Sequence, residues 1–250
     1  MGAFVIKMLV KLENPSLLAR AVEIISELVT EVRVKINEES GLSITAMDPA
    51  NVAMVRFVLP KSSFSAFEAG NEVLGINLDN LKRILKRCGT TSSLTLESKE
   101  TTLDINIQDR IKRNFSLSLI EVESEDKDLP TNLEFSSKVE MKSQDLVDSV
   151  EDCLVVSDSC SFIVKDGKFI VEARGLNSAR SEFSSDEAKI EAENCKSRYS
   201  LEYLQKFVKA SKLNETTVLR FANEHPLRVD IKNELMEISF LLAPRVETED

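Results

Sequence analysis

A catalytic site needs a positioned base, nucleophile or metal, and this chain has few residues that could supply one. Its one histidine, His225, stands in Asn223-Glu224-His225-Pro226, a hairpin-turn context in which an imidazole reads as an exposed turn residue rather than a base. The carboxylates Glu123, Glu125, Asp126 and Asp128 could gather a divalent cation, but they lack the EF-hand spacing and its glycine, so a solvated acidic linker fits better. Cys88, Cys153, Cys160 and Cys195 include no C-x-x-C pair; they lie in apolar-patterned segments and read as reduced core residues. There is no G-x-G-x-x-G, P-loop or G-x-S-x-G motif. No enzymatic activity, cofactor or metal is therefore expected. A small-molecule enzyme of α+β fold is the alternative from another class, and the missing site motifs count against it.

The chemistry that the residues do offer is concentrated positive charge. At 100° per residue, the segment from Leu78 to Arg87 puts Leu78, Leu81, Ile84 and Leu85 on one side and Lys82, Arg83, Lys86 and Arg87 on the other. The segment from Leu201 to Ala210 sets Lys206 and Lys209 opposite Leu201, Leu204, Phe207 and Val208, and Lys212 follows it. A third group, Arg110, Lys112 and Arg113, lies in a segment between strands. Lysines solvate many helix faces, but two such faces in a chain of net charge −10 suit contact with a phosphate backbone without base reading. No zinc-finger, RNP or basic-zipper pattern accompanies them.

The elements that must carry these faces come in two matching sets. Hydrophobic residues make up 42% and charged residues 30% of the 250 residues, the balance of a globular protein able to bury a sizeable core. Leu17, Leu18, Ala21, Val22, Ile25, Leu28 and Val29 form a helical stripe after Asn14-Pro15-Ser16, followed by alternating Val32, Val34 and Ile36 and a strand from Leu42 to Met47. Leu146, Val147, Val150, Cys153 and Leu154 repeat the helix, Cys160, Phe162 and Val164 the alternation, and Lys168 to Ala173 the second strand. The segments from Asn77 to Lys86 and from Ser200 to Lys209 then match in pattern, and strand pairs follow both: Ser93–Glu97 with Thr102–Ile107, and Thr217–Phe221 with Leu227–Ile231. The stretch Met1 to Lys7 reads as a first strand. The acidic run from Glu121 to Pro130 is a connector that should be mobile. The expected organisation is a first domain over 1–118, a connector over 119–134 and a second domain over 135–250. The class is α+β, two similar domains of antiparallel sheet with helices on one face. No apolar run is long enough to cross a bilayer, so no membrane partner is expected, and the protein is placed in the cytoplasm at the nucleoid, or in the nucleus of a eukaryote.

Ser43-Ile44-Thr45-Ala46-Met47-Asp48-Pro49-Ala50-Asn51-Val52, Gly75-Ile76-Asn77-Leu78 with Lys82 to Lys86, and Leu241-Leu242-Ala243-Pro244-Arg245-Val246-Glu247 together resemble the proliferating cell nuclear antigen family of sliding clamps, the archaeal form most. The resemblance spans essentially the whole chain. It implies the DNA clamp fold, three two-domain subunits closed into a ring, helices lining the hole and duplex DNA passing through it. It implies a processivity factor that tethers DNA polymerase, clamp loader, flap endonuclease and DNA ligase through short peptide motifs. DNA-facing positions would be Arg20, Lys82, Arg83, Lys86, Arg87, Arg110, Lys112, Arg113, Lys206, Lys209 and Lys212. The peptide pocket would be walled by Met47, Val52, Leu129, Pro226, Leu241, Leu242, Ala243 and Pro244. One departure stands out: the first helix of the second half carries Asp145, Asp148 and Asp152, and the first helix of the first half offers chiefly Arg20, so the inner surface would be unevenly charged. A subunit of a heterotrimeric or checkpoint-type clamp is the runner-up.

The segment Asp109 to Leu119 alternates Ile111, Arg113, Phe115 and Leu117 on one side and reads as a sheet edge that must be covered. Its counterpart, Ala173 to Phe183 with Gly175 and Ala179, reads as the matching edge. Pairing of the two between neighbouring copies, head to tail, would close a ring.

Overall fold

The computed structural model describes residues 7–123 and 128–246. The chain folds as two compact units: Met1–Met47, Val55–Asp128 and Glu234–Glu237 make the first, and Asp48–Met54, Leu129–Asn233 and Ile238–Asp250 the second. The expected strand over Met1 to Lys7 falls largely outside the described residues, and the first described strand begins at Met8.

In the first half the elements run β1 (Met8–Leu12), α1 (Ser16–Ile25), β2 (Glu31–Asn37), β3 (Gly41–Met47), β4 (Ala53–Pro60), β5 (Ala66–Ala69), β6 (Glu72–Asn77), α2 (Leu78–Leu85), β7 (Ser93–Ser98), β8 (Thr102–Gln108) and β9 (Lys112–Ser118). In the second they run β10 (Ser137–Lys142), α3 (Ser143–Leu154), β11 (Ser159–Lys165), β12 (Lys168–Arg174), β13 (Ser178–Phe183), β14 (Ala188–Ala192), β15 (Cys195–Ser200), α4 (Leu201–Phe207), β16 (Thr216–Phe221), β17 (Leu227–Lys232) and β18 (Glu237–Leu242). The strands lie in the orders β5-β1-β7-β8-β9 and β6-β2-β3-β4 in the first half, and β14-β10-β16-β17-β18 and β15-β11-β12-β13 in the second. Moving every strand nine places along the chain converts the first pair of orders into the second, so the repeat read from residue patterns is a repeat of topology.

The strands form where apolar and polar residues alternate, because a period of two puts one set against the core and the other outward. Burial alternates along β1, β2, β7, β8 and β17. The turn Lys165-Asp166-Gly167-Lys168 closes β11 on β12 with positive φ at both central residues, 53° and 75°, the two-residue hairpin that suits strand twist. Helices α1 and α2 pack together in the first unit, and α3 packs with α4 in the second. Each buries its apolar stripe: Leu18, Val22 and Ile25 in α1, Leu78, Leu81 and Leu85 in α2, Leu146, Val150 and Cys153 in α3, Leu201, Leu204 and Phe207 in α4. Stacked Phe207 and Phe240 rings, 4.4 Å apart, fix α4 to its sheet.

The helices are shorter than their stripes suggest. The first stops at Ile25, yet Leu28 and Val29 stay buried in the turn that follows. The second ends at Leu85, with Lys86 and Arg87 in the capping turn. The fourth becomes a tighter 3-10 stretch from Val208 to Leu213. Strands β5, β14 and β15 are short or polar and carry no clear alternation of hydrophobicity. Cys153, Cys160 and Cys195 are buried free thiols, while Cys88 is only half-buried. The Cys160 thiol is pushed up by its hydrogen bond to Cys153 and by burial.

Candidate nucleic-acid interface

The cations of α2 are not equivalent. Asn77 caps this helix, its side chain accepting from the Asn80 amide at 3.1 Å, which sets the helix start and hence the direction of every later side chain. Lys82 is half-buried: it reaches Asp79 at 2.8 Å and donates to Ser26 Oγ at 3.0 Å. Lys86 lies 3.4 Å from Glu23 of α1. Arg83 and Arg87 are exposed and make no ion pair with any described residue. Two of the four expected cations thus hold the helices together, and the two arginines project outward. Arg20 on α1 is exposed as well.

Around β9 the expectation of a basic segment between strands needs correction. Arg110 lies in the β8–β9 turn, but Lys112 and Arg113 are strand residues on opposite faces. Lys112 is exposed. Arg113 is turned inward and ion-paired to Asp109, which also accepts from Ser92. Ser92 Oγ in turn accepts from the Gly89 amide at 2.6 Å. Arg113 therefore braces the turn that follows α2. Burial and the Asp109 charge together push the nearby Cys88 thiol up.

In the second unit Lys206 sits 5.3 Å from the centre of the Tyr203 ring and 3.8 Å from Glu202. Lys209 and Lys212 are exposed. Against them α3 exposes Asp148, Glu151 and Asp152, with Asp145 half-buried. The uneven charge expected for this unit is present on its helical face.

Among the residues expected to wall a peptide pocket, Val52 and Ala243 of the second unit are joined through their backbones. The Ala243 amide donates to the Val52 carbonyl at 2.9 Å, joining the turn after Asp48 to the strand leaving β18. Val52, Pro226, Leu241, Ala243 and Pro244 are half-exposed. Leu129 is buried, at 8% exposure. Leu242 needs correction: at 0% exposure it belongs to the core beneath the strand and offers no surface. Met47 lies half-buried at the end of β3 in the first unit.

Asp48 and Tyr203 escaped the sequence reading. Asp48 is nearly buried and accepts from the Val52 and Ala53 amides at 2.7 Å, from Ala50 at 3.2 Å and from the Tyr203 hydroxyl at 2.6 Å. The signal was available: Asp followed by Pro opens a turn that its own carboxylate can satisfy. The expected edge residues also divide. Ile111 is 59% exposed in the β8–β9 turn, Phe115 and Ala179 are half-exposed, and Gly175 is exposed in the β12–β13 turn. Leu117, at 7%, is core. Strands β9 and β13 each end their sheet, the first as the alternation from Asp109 to Leu119 suggested.

No catalytic constellation emerges among the described residues. His225 is half-buried rather than exposed, edge-on to Phe135 at 5.3 Å, and its carbonyl accepts from Tyr199 at 2.7 Å and Ser197 at 3.1 Å. Among the described residues no group of three His, Cys, Asp or Glu is placed to hold a metal ion, while Glu125 and Asp126 lie outside them. Nor is any helix long and apolar enough to cross a membrane.

Residues 8–128 match the N-terminal domain of proliferating cell nuclear antigen and residues 129–246 its C-terminal domain. A protein of Pyrococcus horikoshii named DNA polymerase sliding clamp is 36% identical over 244 residues, covering 92% of this chain and 94% of its own. The DNA polymerase sliding clamp 1 of Thermococcus kodakarensis is 38% identical over 231 residues, 89% of this chain and 92% of its own. The crystal structure of proliferating cellular nuclear antigen from Entamoeba histolytica superposes with a TM-score of 0.90 over 97% of this chain and all of that one, at 20% identity. With both family domains matched end to end across two units of repeated topology, the chain belongs to the proliferating cell nuclear antigen family.

Proposed function

We propose that the protein is a DNA polymerase sliding clamp, a non-enzymatic ring of three copies that encircles duplex DNA. The observation that carries this reading is the exposure of Arg83 and Arg87 on α2 and of Arg20 on α1, with Lys209 and Lys212 exposed on and just after the helix of the second unit that repeats α2. Such side chains meet phosphates without reading bases, so the contact is sequence-independent and weakens with salt. Retention then comes from topology, and a tethered polymerase gains local concentration without new chemistry. Polymerase, clamp loader, flap endonuclease and DNA ligase are the proposed partners, held by short peptides at the surface around Val52, Leu241, Ala243 and Pro244. The nucleoid is the proposed location, or the nucleus if the source is a eukaryote.

The acidic polar side of α3 favours a second reading, in which this chain shares its ring with a more basic one. Native mass spectrometry of the isolated protein separates the two. A mass of three copies supports the homotrimer, and a monomer that assembles only with other chains supports the shared ring.

A further inference from the structure

The second unit has another basic surface, on the opposite side from its helices. Helices α3 and α4 pack on one face of the sheet β15-β11-β12-β13. The other face is a hollow of about 420 Å³ ringed by Lys165, Arg174, Arg180, Lys196 and Arg198. Period-two alternation puts them there: Phe162, Val164, Phe169, Val171, Cys195 and Tyr199 take the core side of their strands. The one carboxylate in the lining, Glu172, is shared between Arg174 at 3.0 Å and Arg180 at 3.1 Å, and Arg180 also pairs with Glu182, outside the lining, at 3.0 Å, so the lining itself holds five cations and one carboxylate. This is a marked local excess in a chain of net charge −10. No aromatic side chain lines the hollow, and its apolar floor is Ile163 and Ile170.

The first unit shows what the equivalent surface does when it is covered. The repeat aligns Gly75-Ile76-Asn77-Leu78 with Arg198-Tyr199-Ser200-Leu201. The carbonyls at the aligned positions both accept from the chain leaving their unit, Gly75 from the Ile120 amide at 3.0 Å and Arg198 from the Arg245 amide at 2.7 Å. Over Gly75 the chain then crosses the outer face of the strand, so closely that a Cβ there would lie 1.9 Å from the Ile120 carbonyl oxygen and 3.2 Å from Val122. The covering segment, Ile120-Glu121-Val122-Glu123, alternates apolar and acidic residues. In the second unit Arg198 replaces the glycine, its Nε held by Ser159 Oγ at 2.9 Å, and among the described residues no segment makes that close crossing over the sheet face.

We propose that this hollow docks an acidic peptide segment of a partner protein, with carboxylates on the arginine and lysine rim and an apolar side chain on Ile163 and Ile170. Planar guanidinium groups match carboxylates with two parallel hydrogen bonds. Single-stranded nucleic acid is disfavoured, because such sites combine charge with aromatic stacking platforms and this face has none.

The test is fluorescence anisotropy of a labelled Ile-Glu-Val-Glu-Ser-Glu peptide titrated with the full-length protein. Saturable binding that weakens as salt rises is expected, with at least a tenfold loss of affinity in Lys165→Glu/Arg174→Glu at an unchanged melting temperature. If that double variant loses its melting transition, Lys165→Gln, in the exposed hairpin turn, replaces it, with a loss of about threefold expected from removing one rim charge. The helix variant Arg83→Ala/Arg87→Ala should bind the peptide as wild type does. The proposal is overturned if the peptide does not bind, or if the rim variants bind it normally. Tighter binding of a labelled oligothymidylate, lost in the same rim variants, would overturn it in favour of nucleic acid.

Discussion

The Tyr203 hydroxyl donates to Asp48 Oδ2 at 2.6 Å, tying α4 to the turn whose last residue, Val52, is bonded through its carbonyl to Ala243. With the Val52 amide bonded to Asp48, a short chain of hydrogen bonds links a helix of the basic face to the segment proposed to receive partner peptides. Burial raises the Asp48 carboxyl, but the bonds from Tyr203, Ala53 and Val52 outweigh it and hold the group below its usual range. The same contact pushes the Tyr203 phenol up to about 12. A depressed carboxyl stabilises the fold above its unfolded value near about 4 and loses that contribution as pH falls through the lower folded value. A raised phenol does the reverse, contributing below about 10 and losing it as pH climbs towards its folded value. Tyr203→Phe should cost about 1–2 kcal/mol at neutral pH, measured by urea denaturation at fixed protein concentration. It should also flatten both the acid and the alkaline limbs of the stability profile. Unchanged stability and an unchanged profile would show that the bond is incidental.

On the helical face, the structure separates cations that brace from cations that project. Arg83→Ala/Arg87→Ala should leave the melting temperature within a degree or two and cut DNA-dependent polymerase stimulation several-fold. The log-log salt slope of DNA binding should become shallower by about 0.9 for each phosphate that the variant no longer neutralises. Lys82→Ala should act differently, loosening α2 against Ser26 and removing the Asp79 pair within the helix, and so lowering stability. An arginine variant with full stimulation and an unchanged slope would remove α2 from the DNA surface.

The repeat, the helices and their basic faces were legible because each rests on local periodicity. Leu78, Leu81 and Leu85 at helical spacing force Arg83 and Arg87 outward whatever packs elsewhere. What stayed hidden depends on how the fold turns each side chain rather than on local periodicity. Arg113 reads as one more cation, and only the fold brings it to Asp109 in a braced turn. Leu242 follows Leu241 in an apolar pair, and only the sheet decides that one is core and the other half-exposed. Strand β15, Cys195-Lys196-Ser197-Arg198-Tyr199-Ser200, has too little hydrophobic contrast to announce itself, so the basic hollow it helps to form was invisible. The acidic run from Glu121 to Pro130 is expected to be mobile; just before it Ile120 is bonded to Gly75, and residues 124–127 lie outside the described residues.

Ring closure through β9 and β13 makes a prediction about backbone donors. Adjacent residues of an edge strand point their amides in opposite directions. One of Asn114→Pro and Phe115→Pro therefore removes an inward donor, on the side of β8, and the other an outward donor. The outward variant should keep its fold by circular dichroism and sediment as a monomer. If both variants fold and sediment as trimers, the subunit interface lies elsewhere.

For partner peptides, the burial of Leu129 changes what its substitution does. Leu129→Asp places a charge in an apolar site rather than at a rim, unseating that segment. Affinity for a polymerase-tail or nuclease-tail peptide should fall at least about tenfold, roughly 1.4 kcal/mol, in calorimetric titration, with the trimer intact. Leu129→Ala should show a smaller loss. Wild-type affinity in both variants would detach Leu129 from the recognition surface.

The encircling of DNA is tested most directly by loading the protein onto a nicked circular duplex with a clamp loader and then raising the salt. Topological retention predicts that the protein stays on the circle at a salt concentration that abolishes its binding to short linear duplex, and that cutting the circle once with a restriction enzyme releases it. Loss from the intact circle at the same salt as from linear DNA, with no further release on cutting, would contradict a closed ring.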